Sequence, residues 1–326
     1  MNSRREVDVT VIIPTYNRLE YLVEAIESVL LQTVIVKEII VVDDGSTDKT
    51  AEVVRAYGNN ICYVYQENQG VSAARNHGIQ LATSKYIAFL DSDDRWMRGK
   101  IENQVKIMEA DLRLVAHVCN ISWYKKTGID LQSFWVNSIH HNDAEEGVLT
   151  DPLAWVINDS IAVIQAIMVR ADIVQISGVF NEKLSLWEDT DFAARVALCG
   201  LWAFSVHPGV LIRDLNEGED RLSRVRESNV DYSLNAKIEV LKNLLKTPCL
   251  NNANDRKIVL YELAKSLYAL GGSKARVGKI KEAGQCYIKA FHHGLRLKSF
   301  FMLVILCASL GMAHRILWQY KSRKIN

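Results

Sequence analysis

Residues 86–94 run Tyr86-Ile87-Ala88-Phe89-Leu90-Asp91-Ser92-Asp93-Asp94, five apolar residues that open directly onto three carboxylates. A short, continuously apolar run ending in polar residues predicts a strand buried on both faces. Strands of that kind belong to parallel sheets covered by helices, where ligands sit beyond the carboxyl ends of the strands. Asp91 and Asp93, one residue apart at such an end, can both approach a Mg²⁺ or Mn²⁺ ion that in turn holds a diphosphate. A lone D-x-D is more often a solvated acidic turn. The apolar strand before it, and a second acid pair on another strand, tilt the reading toward chemistry.

Moving outward from this stretch, the pattern repeats. Strands are predicted at 7–13, 38–42 and 61–65, and helices at 19–32, 48–57 and 71–83. Strand one ends in Pro14-Thr15-Tyr16-Asn17-Arg18 and strand two in Asp43-Asp44-Gly45-Ser46. Polar and mostly anionic groups from three strand ends should therefore meet at one edge. Several carboxylates in one cleft repel one another unless a cation offsets them, and a hard divalent ion suits that role. Past residue 112 the pattern loosens. Further strands are expected at 114–119 and 161–169 and a helix at 190–199, while 122–160 is rich in aromatics and poor in periodicity. After about 230 the chain reads as helices only: 232–245, 256–270, 279–293 and 299–310. The expected architecture is an α/β domain over 1–229, with a Rossmann-like, mainly parallel sheet and flanking helices. It divides near residue 112, into halves of about 8–112 and about 113–229. A helical region follows at 230–326.

The 326 residues are 49% apolar and 24% charged, the balance of a folded protein, and the net charge of +1 argues against nucleic acid as a partner. Six scattered cysteines without a C-x-x-C pair point to reduced thiols. No signal-peptide core opens the chain, and the longest apolar run, 300–310, falls short of the roughly 20 residues that span a bilayer. The expectation is a cytoplasmic protein, peripheral on the inner membrane face if the basic stretch after Glu282 touches anionic lipid.

Four motifs, P-T-Y-N-R, V-V-D-D-G-S-T-D, G-V-S-A-A-R-N-H-G and F-L-D-S-D-D, stand in this order and spacing. Together they resemble the inverting family-2 glycosyltransferases of GT-A fold over roughly residues 8–215. The resemblance implies a nucleotide-sugar donor, with Pro14, Thr15 and Tyr16 along the nucleoside and Asp44 on the base. It also implies Ser92 and Arg75 near the donor, and Asp93, supported by Asp91, on the metal–diphosphate. From the residues alone, Arg75 on an apolar helix face needs an anionic partner, and the strand-end aspartates offer one.

Inverting transfer also needs a carboxylate to take the acceptor's proton. Trp187-Glu188-Asp189-Thr190-Asp191-Phe192 resembles the family's E-D-x-D-[FL] stretch, which gives Asp189 the role of base. Acids in a helix's first turn also complement its dipole, and that alone would explain them. Trp187 and Glu188 are the acceptor-side candidates. Where relatives carry Y-R-x-H, this chain has Ile212-Arg213-Asp214-Leu215, so the third metal ligand is either Asp214 or none from the protein. The expected acceptor is a glycan or lipid-linked glycan in surface-polysaccharide synthesis. A sugar-nucleotide-forming nucleotidyltransferase would show G-x-G-T-R after strand one, and a non-catalytic module would show a degraded acid set; neither is present. Leu270-Gly271, Ala283, Tyr287 and Ala290 resemble one tetratricopeptide unit. For the region that follows, packing and contact with an anionic membrane both stand as readings.

Overall fold

The computed structural model describes residues 4–125, 128–130, 145–149, 151–159, 163–213 and 229–306. The chain divides into two compact units, 1–219 and 220–326.

The first unit is built on one sheet. Strands β1 (Glu6–Thr15), β2 (Ile35–Asp43), β3 (Cys62–Tyr65) and β4 (Tyr86–Phe89) pair in parallel in the order β3-β2-β1-β4. Val11, Ile12, Ile13, Val41, Val42, Ala88 and Phe89 are buried, as expected of strands covered on both faces. Helices α1 (Leu19–Leu30), α2 (Thr50–Arg55) and α3 (Val71–Leu81) link them. Leu22, Ala25, Ile26 and Val29 of α1 lie at the spacing of one helical stripe and are all buried. Register fixes the functional edge. Thr15 stands opposite Asp43 and Ile12 opposite Phe89, so the residues after β4 emerge beside the ends of β1 and β2.

The rest of the sheet is mixed. Strand β5 (Arg95–Trp96) and helix α4 (Lys100–Ala110) precede β6 (Leu114–Lys125), β7 (Gly128–Asp130) and β8 (Glu146–Leu149). Strand β9 (Ile167–Arg170) runs antiparallel between β4 and β6, and β10 (Leu201–Arg213) runs parallel to β6 and antiparallel to β5 and β8. The strand expected at 161–169 is shorter than its apolar composition suggests: Ile164–Ala166 form a tight helical turn before β9 begins. Gln165 turns into the acid cluster there. Register slips on both sides of Pro208 in β10, where the missing N–H interrupts the ladder.

Helices α5 (Pro152–Asp159), α6 (Ala171–Ser177) and α7 (Glu188–Ala197) complete the unit. Trp155 belongs to the core, its ring 6.4 Å from that of Trp202. Trp135 lies outside the described residues.

The second unit holds α8 (Val230–Leu244), α9 (Ala253–Arg276), α10 (Ile280–His293) and a helical stretch at 296–306. Asn229 and Asn252 cap α8 and α9 by accepting from the N–H of Tyr232 and Asp255. Gly271 is required by close approach, since a Cβ there would lie 2.8 Å from the Tyr287 ring. Among the described residues no helix is long and apolar enough to cross a membrane.

Candidate active site

The turn after β2 is held from within. Asp43 accepts from the Ser46 N–H at 2.8 Å and from the Tyr63 hydroxyl at 2.7 Å. Asp44 is buried and accepts from Gln66 Nε2 at 2.8 Å, the Gln69 N–H at 2.9 Å and the Gly70 N–H at 2.8 Å. It thereby fastens the 66–70 loop and the start of α3. Gly45 sits at φ 89°, and a Cβ would come 2.9 Å from the Asn68 nitrogen. Beside it, Asn17 (φ 49°) gives its N–H to Ser46 Oγ and accepts from the Thr47 N–H. Pro14 and Thr15 lie within β1 against β2, and Tyr16 is exposed at the edge.

Arg75 is the hub. The guanidinium, buried on α3, donates through Nη1 to Asp189 Oδ1 and through Nη2 to Asp91 Oδ1, both at 2.7 Å. Glu188 is 3.7 Å away, and the cation lies over the Phe180 ring at 5.2 Å. That ring stacks on Phe192 at 4.3 Å, and Phe89 meets both edge-on. An aromatic wedge thus fixes a planar fork between two acids from distant parts of the chain. The opposing carboxylates raise the Arg75 pKa against the effect of its burial.

The Asp91–Asp94 turn is tied on every side. Gln165 Nε2 donates to Asp91 Oδ2 at 2.6 Å and to Asp94 Oδ2 at 2.7 Å. Asp94, fully enclosed, also accepts from the Arg213 N–H at 2.8 Å, and Arg213 Nε donates to the Asp93 carbonyl. Asp93 pairs with Arg18, and Ser92 is buried between the acids. Arg75 and Arg18 supply positive charge among these acids. A divalent ion still suits the donor set. Asp91 and Asp93 keep partly exposed carboxylates, and Mg²⁺ commonly takes one or two carboxylates with substrate phosphates and water. Among the described residues no three His, Cys, Asp or Glu side chains form a ready cage. Asp214 and Leu215 lie outside the described residues. His207 is exposed on β10, 3.5 Å from Glu145.

Asp189 opens α7. Its side chain remains 25% exposed, which leaves one flank for an incoming hydroxyl. Burial of the rest pushes its carboxyl well above the ordinary aspartate range; Arg75 opposes this, and Glu188 and Asp91 add to it. Trp187, at the N-cap, adopts φ 68°, ψ 15°, a left-handed conformation costly for a bulky residue. Among the described residues, it and Asn17 are the two non-glycine residues at positive φ, both at the proposed site. Asp191 is structural: it pairs with Arg195, which holds the carbonyls of Ser177, Gly178 and Val179. Asn76 locks Phe180 from both sides, donating to its carbonyl and accepting from its N–H. Gln165 and Arg18 were not singled out by the sequence reading. The motif P-T-Y-N-R contained Arg18, whereas Gln165 had no signal beyond being one polar residue in an apolar run.

The sequence model of glycosyl transferase family 2 matches residues 10–151. Residues 10–151 are thus similar in sequence to glycosyl transferase family 2, and the fold is of GT-A type. An uncharacterised glycosyltransferase of Rickettsia felis is 44% identical over 137 residues, 41% of this chain and 22% of that protein. The uncharacterised glycosyltransferase YibD of Escherichia coli is 38% identical over 157 residues, 47% of this chain and 43% of YibD. TuaG of Bacillus subtilis, a putative teichuronic acid biosynthesis glycosyltransferase, is 42% identical over 104 residues, 31% of this chain and 41% of TuaG. The chain thus spans less than half the length of these relatives. In fold it is similar to S. aureus TarS residues 1–349, solved with UDP-GlcNAc, with a TM-score of 0.66 at 19% identity over 87% of this chain and 82% of that one.

Proposed function

We propose that the protein is an inverting glycosyltransferase that moves a sugar from a nucleoside diphosphate, uridine by preference, to a hydroxyl of a glycan or lipid-linked glycan. The observation that carries this reading is the Arg75 bridge between Asp91 and Asp189. It sets an anion-binding edge and a proton-accepting acid on two sides of one small space. The nucleotide and acceptor classes are supported by the UDP-GlcNAc bound to TarS and by the teichuronic acid assignment of TuaG.

In the proposed reaction the acceptor oxygen attacks the anomeric carbon, and its proton passes to Asp189. The bond from that carbon to the diphosphate oxygen breaks, and the nucleoside diphosphate leaves with the electron pair. One displacement by the acceptor oxygen, from the face opposite the diphosphate, inverts the anomeric centre. Arg75 holds Asp189 in place and pairs with Asp91. Pro14, Thr15 and Tyr16 line the nucleoside, Asp44 receives the base, Ser92 faces the donor, and Trp187 with Glu188 borders the acceptor. A Mg²⁺ or Mn²⁺ ion, held by Asp93 and Asp91, would neutralise charge on the leaving diphosphate. The work belongs on the cytoplasmic side, where nucleotide sugars are made.

A thermal-shift screen of nucleotide sugars with and without Mn²⁺ selects the donor, and NMR of the product reads its anomeric configuration. Retention of configuration, or no stabilisation by any nucleotide sugar, would remove the proposal.

A further inference from the structure

Helical residues 296–306 have two unlike faces. Leu306 joins Ala283 and Tyr287 in a buried cluster, and Met302 and Leu303 pack against it. The opposite face carries Leu297, Phe300, Phe301, Val304 and Ile305, which remain 77%, 55%, 63%, 49% and 55% exposed. Steps of three and four residues align these side chains in one stripe. Five large apolar side chains set together in water mark a place where something binds. Arg296 and Lys298 flank it on the same helix and are exposed, as is Lys289 on α10. No Asp or Glu follows Glu282, while Arg315, Lys321, Arg323 and Lys324 add further positive charge to the sequence.

We propose that this stripe docks on the surface of an anionic lipid bilayer. The helix would lie in the plane of the membrane, with the two phenylalanines, Leu297, Val304 and Ile305 among the upper acyl chains. The lysines and arginines would meet lipid phosphates, which adds attraction at short range. A second copy of the chain fits less well. A stable protein interface takes about 20–30 residues a side, and stripe-on-stripe pairing would bring two basic surfaces together.

Co-sedimentation of the full chain with phosphatidylcholine vesicles, with and without phosphatidylglycerol, tests the proposal. The chain should pellet with the phosphatidylglycerol vesicles, less so in high salt. The double variant F300D/F301D should lower vesicle affinity by roughly tenfold or more. Both side chains are exposed, so its melting temperature should match the parent's; if it falls, Val304→Asp alone replaces it. K289Q/R296Q/K298Q should weaken binding to phosphatidylglycerol vesicles and spare whatever binding neutral vesicles show. No pelleting of the parent chain, or equal pelleting of F300D/F301D, overturns the proposal. So does a dimer in sedimentation equilibrium that F300D/F301D dissolves, which would assign the stripe to a second copy. Sugar transfer is not the readout, so failure here leaves the proposed reaction untouched.

Discussion

Arg75 and Asp189, 114 positions apart in the chain, meet at 2.7 Å, and the same guanidinium reaches Asp91 with its other nitrogen. One side chain therefore sets the spacing between the donor edge and the proposed base.

Replacing Asp189 tests the base. Asp189→Asn keeps an acceptor for Arg75 but cannot take a proton. The expected loss in kcat is about 10²- to 10⁴-fold, with donor affinity by calorimetry nearly unchanged. Since the folded carboxyl titrates well above the ordinary aspartate range, the parent's kcat should fall as pH drops through that raised value. A pH profile flat down to about pH 4, where ordinary aspartates titrate, would contradict the assignment.

Removing Arg75 leaves two acids without their shared cation. Arg75→Met should lower unfolding stability by about 3 kcal/mol, as loss of one partner from a buried ionic cluster does. Arg75→Lys should recover part of the stability but less of the kcat, because an ammonium cannot hold both carboxylates in one planar fork. Urea unfolding and steady-state rates on the same samples separate the two effects.

Gln165→Leu deletes the amide that joins Asp91 to Asp94. A loss of about 1–3 kcal/mol is expected from the two carboxylate oxygens that lose the amide, together with weaker donor binding. Gln165→Glu should be worse, since it adds a third negative charge. Wild-type affinity for the nucleotide in Gln165→Leu would show that the bridge does not shape the donor edge.

Asp93→Ala distinguishes metal from plain charge. Donor affinity should fall when Mn²⁺ is present and match the parent in chelator. Equal weakening in both conditions would leave Asp93 with Arg18 only and no ion.

Acid should loosen the fold through His117. Its ring is buried, and Gln104 Nε2 donates to Nδ1 while Gln104 Oε1 accepts from Lys100. Burial, helped by the Lys100 charge, pushes its pKa down to about 3. Below an unfolded value of about 6.5 the unfolded chain binds a proton that the native chain does not. Stability should then fall by about 1.4 kcal/mol per pH unit down to the folded value. His117→Gln should flatten that part of the stability–pH curve.

What could be seen in the sequence was what depends on near neighbours. The apolar run before Asp91, the acid pair at Asp43 and Asp44, and the unmatched charge of Arg75 each carried their meaning within a few residues. Long-range placement was hidden. Gln165 sat in a run whose composition suggests a strand, and only its position below the Asp91–Asp94 turn explains the tight turn seen there. The two-residue strand Arg95–Trp96 is too short for periodicity and exists because β10 passes beside it. Asp44 could be expected at the edge, but not that it also gathers three donors from the 66–70 loop. The sequence pointed to a cation among these acids; it did not reveal that Arg18 and Arg75 pair with them as well.

Trp187 has a wider meaning. Holding a large side chain in left-handed backbone costs about 1–2 kcal/mol that glycine would escape. Most other side chains at this position would inherit the strain without the indole, and glycine would relieve it at the cost of a looser approach to Glu188 and Asp189. Few substitutions are then tolerable, and the doorway beside the proposed base should drift more slowly than its surroundings as the protein changes.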